Sequence, residues 1–134
     1  MRLISLLLVL AASLAAPVIA SAADIYVIAN PTVDLQSADV RDVYLGEKLF
    51  SGSVRLRPVD NAETQETFLA SVMHMTGPAY ASAWTKKAFR QGLTQPPTYS
   101  RDAEVIEFVR RNEGAVGYAR SAPSGVKVLQ KVAQ

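Results

Sequence analysis

Asn112-Glu113-Gly114-Ala115-Val116-Gly117-Tyr118-Ala119 joins the end of an amphipathic helix to a short apolar strand, and the rest of the chain repeats that alternation. Upstream, Ser100 is placed to cap a helix that carries Asp102 and Glu104 near its positive end. Val105, Ile106 and Val109 form its apolar face, and Gly114 stops it. Downstream, Pro123-Ser124-Gly125 turns the chain into a closing strand, Val126-Lys127-Val128-Leu129. Ile25-Tyr26-Val27-Ile28-Ala29 is a buried strand ended by Asn30-Pro31. A short helix follows, with Ser37 as cap, Asp39 in its first turn, Val40, Val43 and Tyr44 on one face, and Gly46 as stop. Ser51-Gly52-Ser53 makes a turn, and Val54 to Val59 alternates apolar residues with Arg55 and Arg57 as a half-buried strand. Asp60 and Asn61 are competent N-caps for a helix with Phe68, Leu69 and Val72 on one side, broken by Gly77-Pro78. Tyr80, Trp84 and Ala88 mark a further helix whose outer face carries Lys86, Lys87 and Arg90. Gly92 closes it before an extended loop, Thr94-Gln95-Pro96-Pro97-Thr98. This order predicts one α/β layer structure without internal repeats.

Composition narrows the chemistry. The 134 residues hold 14 Lys and Arg, 12 Asp and Glu, one His and no Cys. Disulfides, thiolate nucleophiles and Cys-based metal sites are excluded, and a single histidine cannot build a multi-His metal site. The 49% apolar content is that of a folded domain rather than a disordered one. Interleaved charges and a net +2 leave no footprint for nucleic acid.

Met1-Arg2, the apolar run from Leu3, the Pro17 break and the ending Ala20-Ser21-Ala22 form a cleavable export signal over residues 1–22, cut before Ala23. An uncleaved membrane anchor is the alternative reading of the same run. Cleavage leaves one exported domain, residues 23–134, with no membrane attachment. Without Arg2 its 13 basic residues stand against 12 acidic ones, a net +1.

Three segments place a helix start after a loop: Asp34–Ser37, Asp60–Asn61 and Tyr99–Ser100. Free N–H groups and the helix dipole make such ends natural anion sites. The second follows a strand directly, and Asn61, Thr64 and Gln65 could donate there; the plainer reading is that Asp60 or Asn61 caps its own helix. The carboxylates of Asp60, Glu63 and Glu66 oppose an anionic ligand. His74 reads as a helix-terminal imidazole, since no nucleophile elbow accompanies it. Tyr80 and Trp84, four residues apart, read as core, and Lys86, Lys87 and Arg90 as a solvated face. Glu104 and Glu107 fall on a helix surface, and no P-loop, dinucleotide fingerprint or metal motif is present. No cofactor and no enzymatic activity are expected.

Asn30-Pro31 after the first strand, Asp39-Val-Arg-Asp-Val-Tyr-Leu-Gly46, the strand-to-helix turn over Val59–Phe68 and Asn112-Glu-Gly-Ala-Val-Gly-Tyr118 occur in a telling order. Together they resemble the phosphate-type substrate-binding proteins of ABC importers. That family carries an I-F-x-G-K stretch, met here by Val43-Tyr44-Leu45-Gly46-Glu47-Lys48, and an N-P-G-A-I-G-Y stretch, met by Asn112 to Tyr118. The resemblance spans nearly all of residues 25–130. It implies a periplasmic-binding-protein-like α/β domain of a single lobe, a short mixed sheet flanked by about four helices. Full members clamp the anion between two lobes. Their Ser-Gly-Thr loop, often followed by Arg, corresponds to Asn61-Ala62-Glu63-Thr64-Gln65: Thr64 is kept, Glu63 takes the glycine position and Gln65 the arginine position. A lost glycine and an added carboxylate both work against close phosphate approach.

Two functions follow from the resemblance. One is a solute-binding module that takes phosphate or another small oxyanion weakly, alone or as a homodimer that rebuilds a cleft, with Asn30, Thr32, Asn61, Thr64 and Gln65 as donors. The other is an interaction module that has lost solute binding and docks on a periplasmic partner through the Lys86–Arg90 face and the Thr94–Tyr99 loop.

Overall fold

The computed structural model describes residues 24–134; the export signal expected over 1–22 lies outside them. Ile25–Ala29 forms β1, and its alternating side chains feed two different cores. Ile25, Val27 and Ala29 face one side, Ile28 the other, so both faces of the sheet are covered. After β1 the chain makes a 3₁₀ turn, Ser37–Asp39, that runs into α1, Val40–Tyr44. Gln36 occupies the N-cap position expected of Ser37, and its N–H donates to Asp39 Oδ2 at 2.9 Å. Phe50–Ser51 (β2) and Val54–Arg55 (β3) make the hairpin around the Ser51–Ser53 turn. The strand expected over Val54–Val59 is divided, because Leu56 N–H turns to Leu49 O and only Arg57–Pro58 (β4) joins the main sheet. Burial alternates as expected only as far as Arg57: Leu56 is buried between exposed Arg55 and Arg57, but Val59, in register with the arginines, is buried under α4.

Asp60–Asn61 forms β5, followed by α2, Gln65–Phe68, which widens into a π-helical turn over Leu69–Met73. Gly77-Pro78, expected as a break, opens α3, Gly77–Gln91, with Thr76 Oγ1 accepting from Ala79 N–H at 3.2 Å. Proline suits that first turn because it lacks the N–H that no carbonyl there could receive. Thr98–Tyr99 (β6) pairs parallel with β5 and leads to α4, Asp102–Arg111. Arg101, not Ser100, is the N-cap of α4, while Ser100 N–H donates to Glu104 Oε2. Ala115–Ala119 (β7) and Lys127–Val132 (β8) complete a four-stranded mixed sheet in the order β4-β7-β1-β8. The β1–β7 and β1–β8 pairs are antiparallel and β4–β7 is parallel.

One core lies between the sheet and α1, α2 and α3, where the Phe68 and Tyr118 rings stack at 3.8 Å and Tyr44 meets Phe68 edge-on at 4.8 Å. Tyr44 keeps its hydroxyl satisfied there by donating to Val59 O at 2.9 Å. The second core lies under α4, built from Ile28, Val59, Val105, Val109 and Ala115. Gly117 lets α4 approach the sheet: a Cβ there would stand 2.5 Å from Val105 Cγ1. Gly114, at φ +77°, makes the turn into β7 against Arg55 O, where no side chain fits.

Candidate functional site

The parallel pair β4–β7 brings two chain segments to the same end of the sheet: Asp60–Gln65 beyond β4 and Arg120 beyond β7. Asp60 and Asn61, expected to cap α2, do something else, and Thr64 stands at the N-cap without a side-chain cap bond. Asp60 is fully buried, and its two carboxylate oxygens accept from Tyr80 OH at 2.7 Å and Tyr118 OH at 2.8 Å. Burial pushes its carboxyl up, and the hydrogen bonds from Tyr80 and Tyr118 pull it partly back. The two phenols are raised in turn, first by burial and then by the Asp60 charge. Asn61 is equally committed. Its Nδ2 donates to Asp102 Oδ1 at 2.6 Å and Tyr118 O at 2.9 Å, while Oδ1 accepts from Glu63 N–H at 3.1 Å.

This frame holds a small electrostatic cluster at the surface. Glu63 Oε2 accepts from Asp102 N–H, in the first turn of α4, at 3.1 Å and from Arg120 Nη2 at 2.7 Å. Arg120 Nε also donates to Asp102 Oδ2 at 2.8 Å. Burial alone would raise the Asp102 carboxyl, but hydrogen bonds from Arg120 and Asn61 outweigh it and hold it low. A guanidinium beside a helix N–H is a donor set suited to an oxyanion, and here a carboxylate of the same chain takes it. Thr64 adds an irregularity: its Oγ1 is the one buried side-chain polar atom without a hydrogen-bond partner among the described residues. A hydroxyl left so costs about 1–3 kcal/mol.

The five donors expected from the sequence do not converge. Asn61, Thr64 and Gln65 share this loop, whereas Asn30 and Thr32 lie at the opposite end of the sheet, where Asn30 N–H meets Ala115 O. The five residues of β7 separate the two groups by roughly 13 Å at about 3.3 Å per residue. There Asn30 Nδ2 donates to Val109 O at 2.9 Å and Arg110 O at 3.2 Å, holding the last turn of α4. Thr32 Oγ1 donates to Asn30 Oδ1 at 2.7 Å and accepts from Gly114 N–H at 3.0 Å. Both side chains satisfy backbone groups rather than open space.

The remaining candidates fall where their plainer readings put them. Tyr80 and Trp84 are buried, Trp84 Nε1 donating to Tyr44 O at 3.0 Å, and His74 is exposed in the left-handed turn that ends the π-helical segment. Lys86 and Arg90 are exposed as a solvated face requires, but Lys87 is half-buried and reaches Glu47 at 3.7 Å; Glu107 pairs with Arg111 along α4. Among the described residues no group of three or more His, Cys, Asp or Glu could hold a metal ion. No described helix is long and apolar enough to cross a membrane. Arg120, the cation of the cluster, is not among the expected site residues. What marks it is its position one residue past a strand that runs parallel to the strand before Asp60, a pairing visible only in the fold.

The Asn61–Gln65 loop thus stands at the carboxyl end of a parallel strand pair in a small α/β lobe. Among solved structures the chain is similar to a substrate-binding protein assigned to a phosphate ABC transporter of Clostridium perfringens, crystallised with bound phosphate: TM-score 0.60, 17% identity, 83% of this chain and 46% of that one. It also matches an ABC-type phosphate transport receptor from Vibrio cholerae with TM-score 0.49 and 14% identity, over 82% of this chain and 47% of that one. The chain thus spans about half the length of these structures and has the fold of one lobe of a periplasmic binding protein. No protein-family model and no curated protein matches the sequence.

Proposed function

We propose that this protein is an exported solute-binding-like lobe that takes a small oxyanion, phosphate by default, weakly at the Asn61–Gln65 loop. The observation that carries the reading is the donor pair held by Glu63: Asp102 N–H and the Arg120 guanidinium. An incoming oxyanion displaces the Glu63 carboxylate from both donors and gains the Thr64 hydroxyl, now without a partner. Gln65 serves as a neutral donor where the family resemblance implies an arginine. Two features keep the affinity low. Glu63 competes as a tethered anion, and the Asp102 carboxylate beside Arg120 repels a second negative charge. A single lobe also leaves the ligand open to water, so tight enclosure needs a second copy or a partner to close over it. Titration calorimetry of the purified protein with phosphate and sulfate tests this. A saturable heat in the millimolar range, where binding is worth about 4 kcal/mol, is expected, and it disappears in a Thr64→Val/Gln65→Ala double variant. Unchanged affinity in that variant rejects the site.

The alternative, a docking lobe for a protein of the cell envelope, has one observation in its favour. Phe89 is 92% exposed on α3 between Lys86 and Arg90. A Lys86→Glu/Arg90→Glu variant that still captures every partner of the wild-type chain removes that surface from consideration.

A further inference from the structure

β4 is an edge strand, and its outer side is gripped at two points only. Leu56 N–H donates to Leu49 O at 2.9 Å, and Asp60 N–H donates to Pro97 O at 2.8 Å. Between them stands Pro58, which has no N–H to offer, so neither the hairpin nor the 92–97 loop closes over the strand there. The gap is a cleft of about 430 Å³, within the size range of small-molecule sites. Its apolar lining comes from Leu49, Leu56, Trp84, Leu93, Tyr99 and Phe108. Its charged lining is of one sign: Lys48, Arg55 and Arg57, with no Asp or Glu.

The state of those cations is the telling feature. Lys48 is shared with Asp39 at 3.5 Å, but neither arginine has a carboxylate partner among the described residues. Arg55 lies over the Phe50 ring at 5.2 Å, and Arg57 lies over Phe108 at 5.1 Å with Nη1 donating to the neutral Asn112 amide at 2.9 Å. Arg55 ends β3 and Arg57 begins β4, and both line the cleft. Both guanidinium groups are exposed and free to pair with an anion, and a neutral apolar ligand would use neither. A bare inorganic anion would be set against hydrocarbon that cannot replace its water.

We propose that this cleft is a second binding site, for a small organic anion with an aromatic or branched apolar body. Its carboxylate pairs with Arg55 and Arg57, and its body packs on Trp84 and Leu93. The cleft shares no lining residue with Asn61, Glu63, Thr64, Gln65 or Arg120, so this site and the oxyanion loop stand or fall separately.

The structure supplies its own reporter, because Trp84 is the only tryptophan in the chain. Trp84 emission is followed while the protein is titrated with 3-phenylpropionate, its neutral amide, propionate and phosphate. A saturable change with 3-phenylpropionate is expected, at least tenfold weaker with the amide or with propionate, and not displaced by phosphate. Arg55→Glu and Leu93→Asp, each with wild-type circular dichroism, should weaken it at least tenfold; Arg55 is exposed, so its variant keeps the fold. No saturable change, an amide that binds as well as the acid, competition by phosphate, or an unaffected Arg55→Glu variant would each overturn the assignment.

Discussion

Removing the Asp60 carboxylate should unfold more than the loop it sits in. In Asp60→Ala two buried phenols, Tyr80 and Tyr118, lose their acceptor at once. Each stranded donor costs about 1–3 kcal/mol, a gross loss of roughly 2–6 kcal/mol. Relief of a buried charge offsets part of it, because burial is the largest influence on this carboxyl. A net loss of about 3 kcal/mol at neutral pH is expected, a drop of roughly 12 °C in Tm for a domain of this size. Tyr118→Phe should cost more than Tyr80→Phe, since the Tyr118 hydroxyl also accepts from Asn61 N–H at 3.1 Å. The pH response has a definite sign. The folded carboxyl holds its proton to higher pH than the unfolded one, which titrates near about 3.9. Between those two values the folded chain binds the extra proton, so this group's share of stability is fully present below the unfolded value and is lost as pH rises through the folded one. Asp60→Asn, which cannot ionise, should flatten that segment of the curve and cost less than Asp60→Ala. Urea unfolding followed by Trp84 fluorescence between pH 3 and 8 measures all four variants. An Asp60→Ala protein within about 0.5 kcal/mol of wild type, the range of ordinary surface changes, would refute the reasoning.

Asn30→Ala should destabilise by about 2–3 kcal/mol, because the last-turn carbonyls of α4 and the Thr32 hydroxyl lose their shared partner. Its phosphate titration should match the wild type, since Asn30 lies at the other end of the sheet; calorimetry and urea melts of the same sample separate the two effects. Gly117→Ala forces a methyl to within 2.5 Å of Val105 Cγ1 and 3.1 Å of Val109 Cγ2, an overpacking expected to cost about 1–3 kcal/mol in the same melts.

How much of this was legible in the residues depends on the range of the interactions involved. The run Ile25–Ala29 and the segment Ala115–Ala119 are strands as their apolar content and flanking Asn-Pro and Gly dictate. Val40, Val43 and Tyr44 are buried together as their spacing implies. Cap assignments fared worse. Asp60 and Asn61 have the right chemistry for a helix N-terminus, yet Tyr80, Tyr118 and Asp102, between 20 and 58 residues away, take their side chains instead. A local propensity worth about 1 kcal/mol yields to a tertiary network of that kind. The same reason hid Arg120, whose partners Glu63 and Asp102 lie 57 and 18 residues back along the chain. Asn30 and Thr32 follow a strand as Asn61 does, and nothing local in the residues tells which end of the sheet each loop occupies. The antiparallel β1–β7 pairing instead sends the end of β1 to the opposite side of the sheet from Asn61.

In the proposed function, Glu63 occupies from within the place an oxyanion would take. The most direct measurement is the phosphate affinity of Glu63→Gly against wild type by titration calorimetry, with Thr64→Val added in the Glu63→Gly background. Glycine removes the competing carboxylate and frees Arg120 Nη2 and Asp102 N–H, while the Glu63 backbone N–H can still donate to Asn61 Oδ1. Phosphate should then bind at least tenfold tighter, a gain of about 1.4 kcal/mol, and the added Thr64→Val change should abolish it. A folded Glu63→Gly protein that binds phosphate no more tightly than the wild type would show that Glu63 does not stand in for an oxyanion.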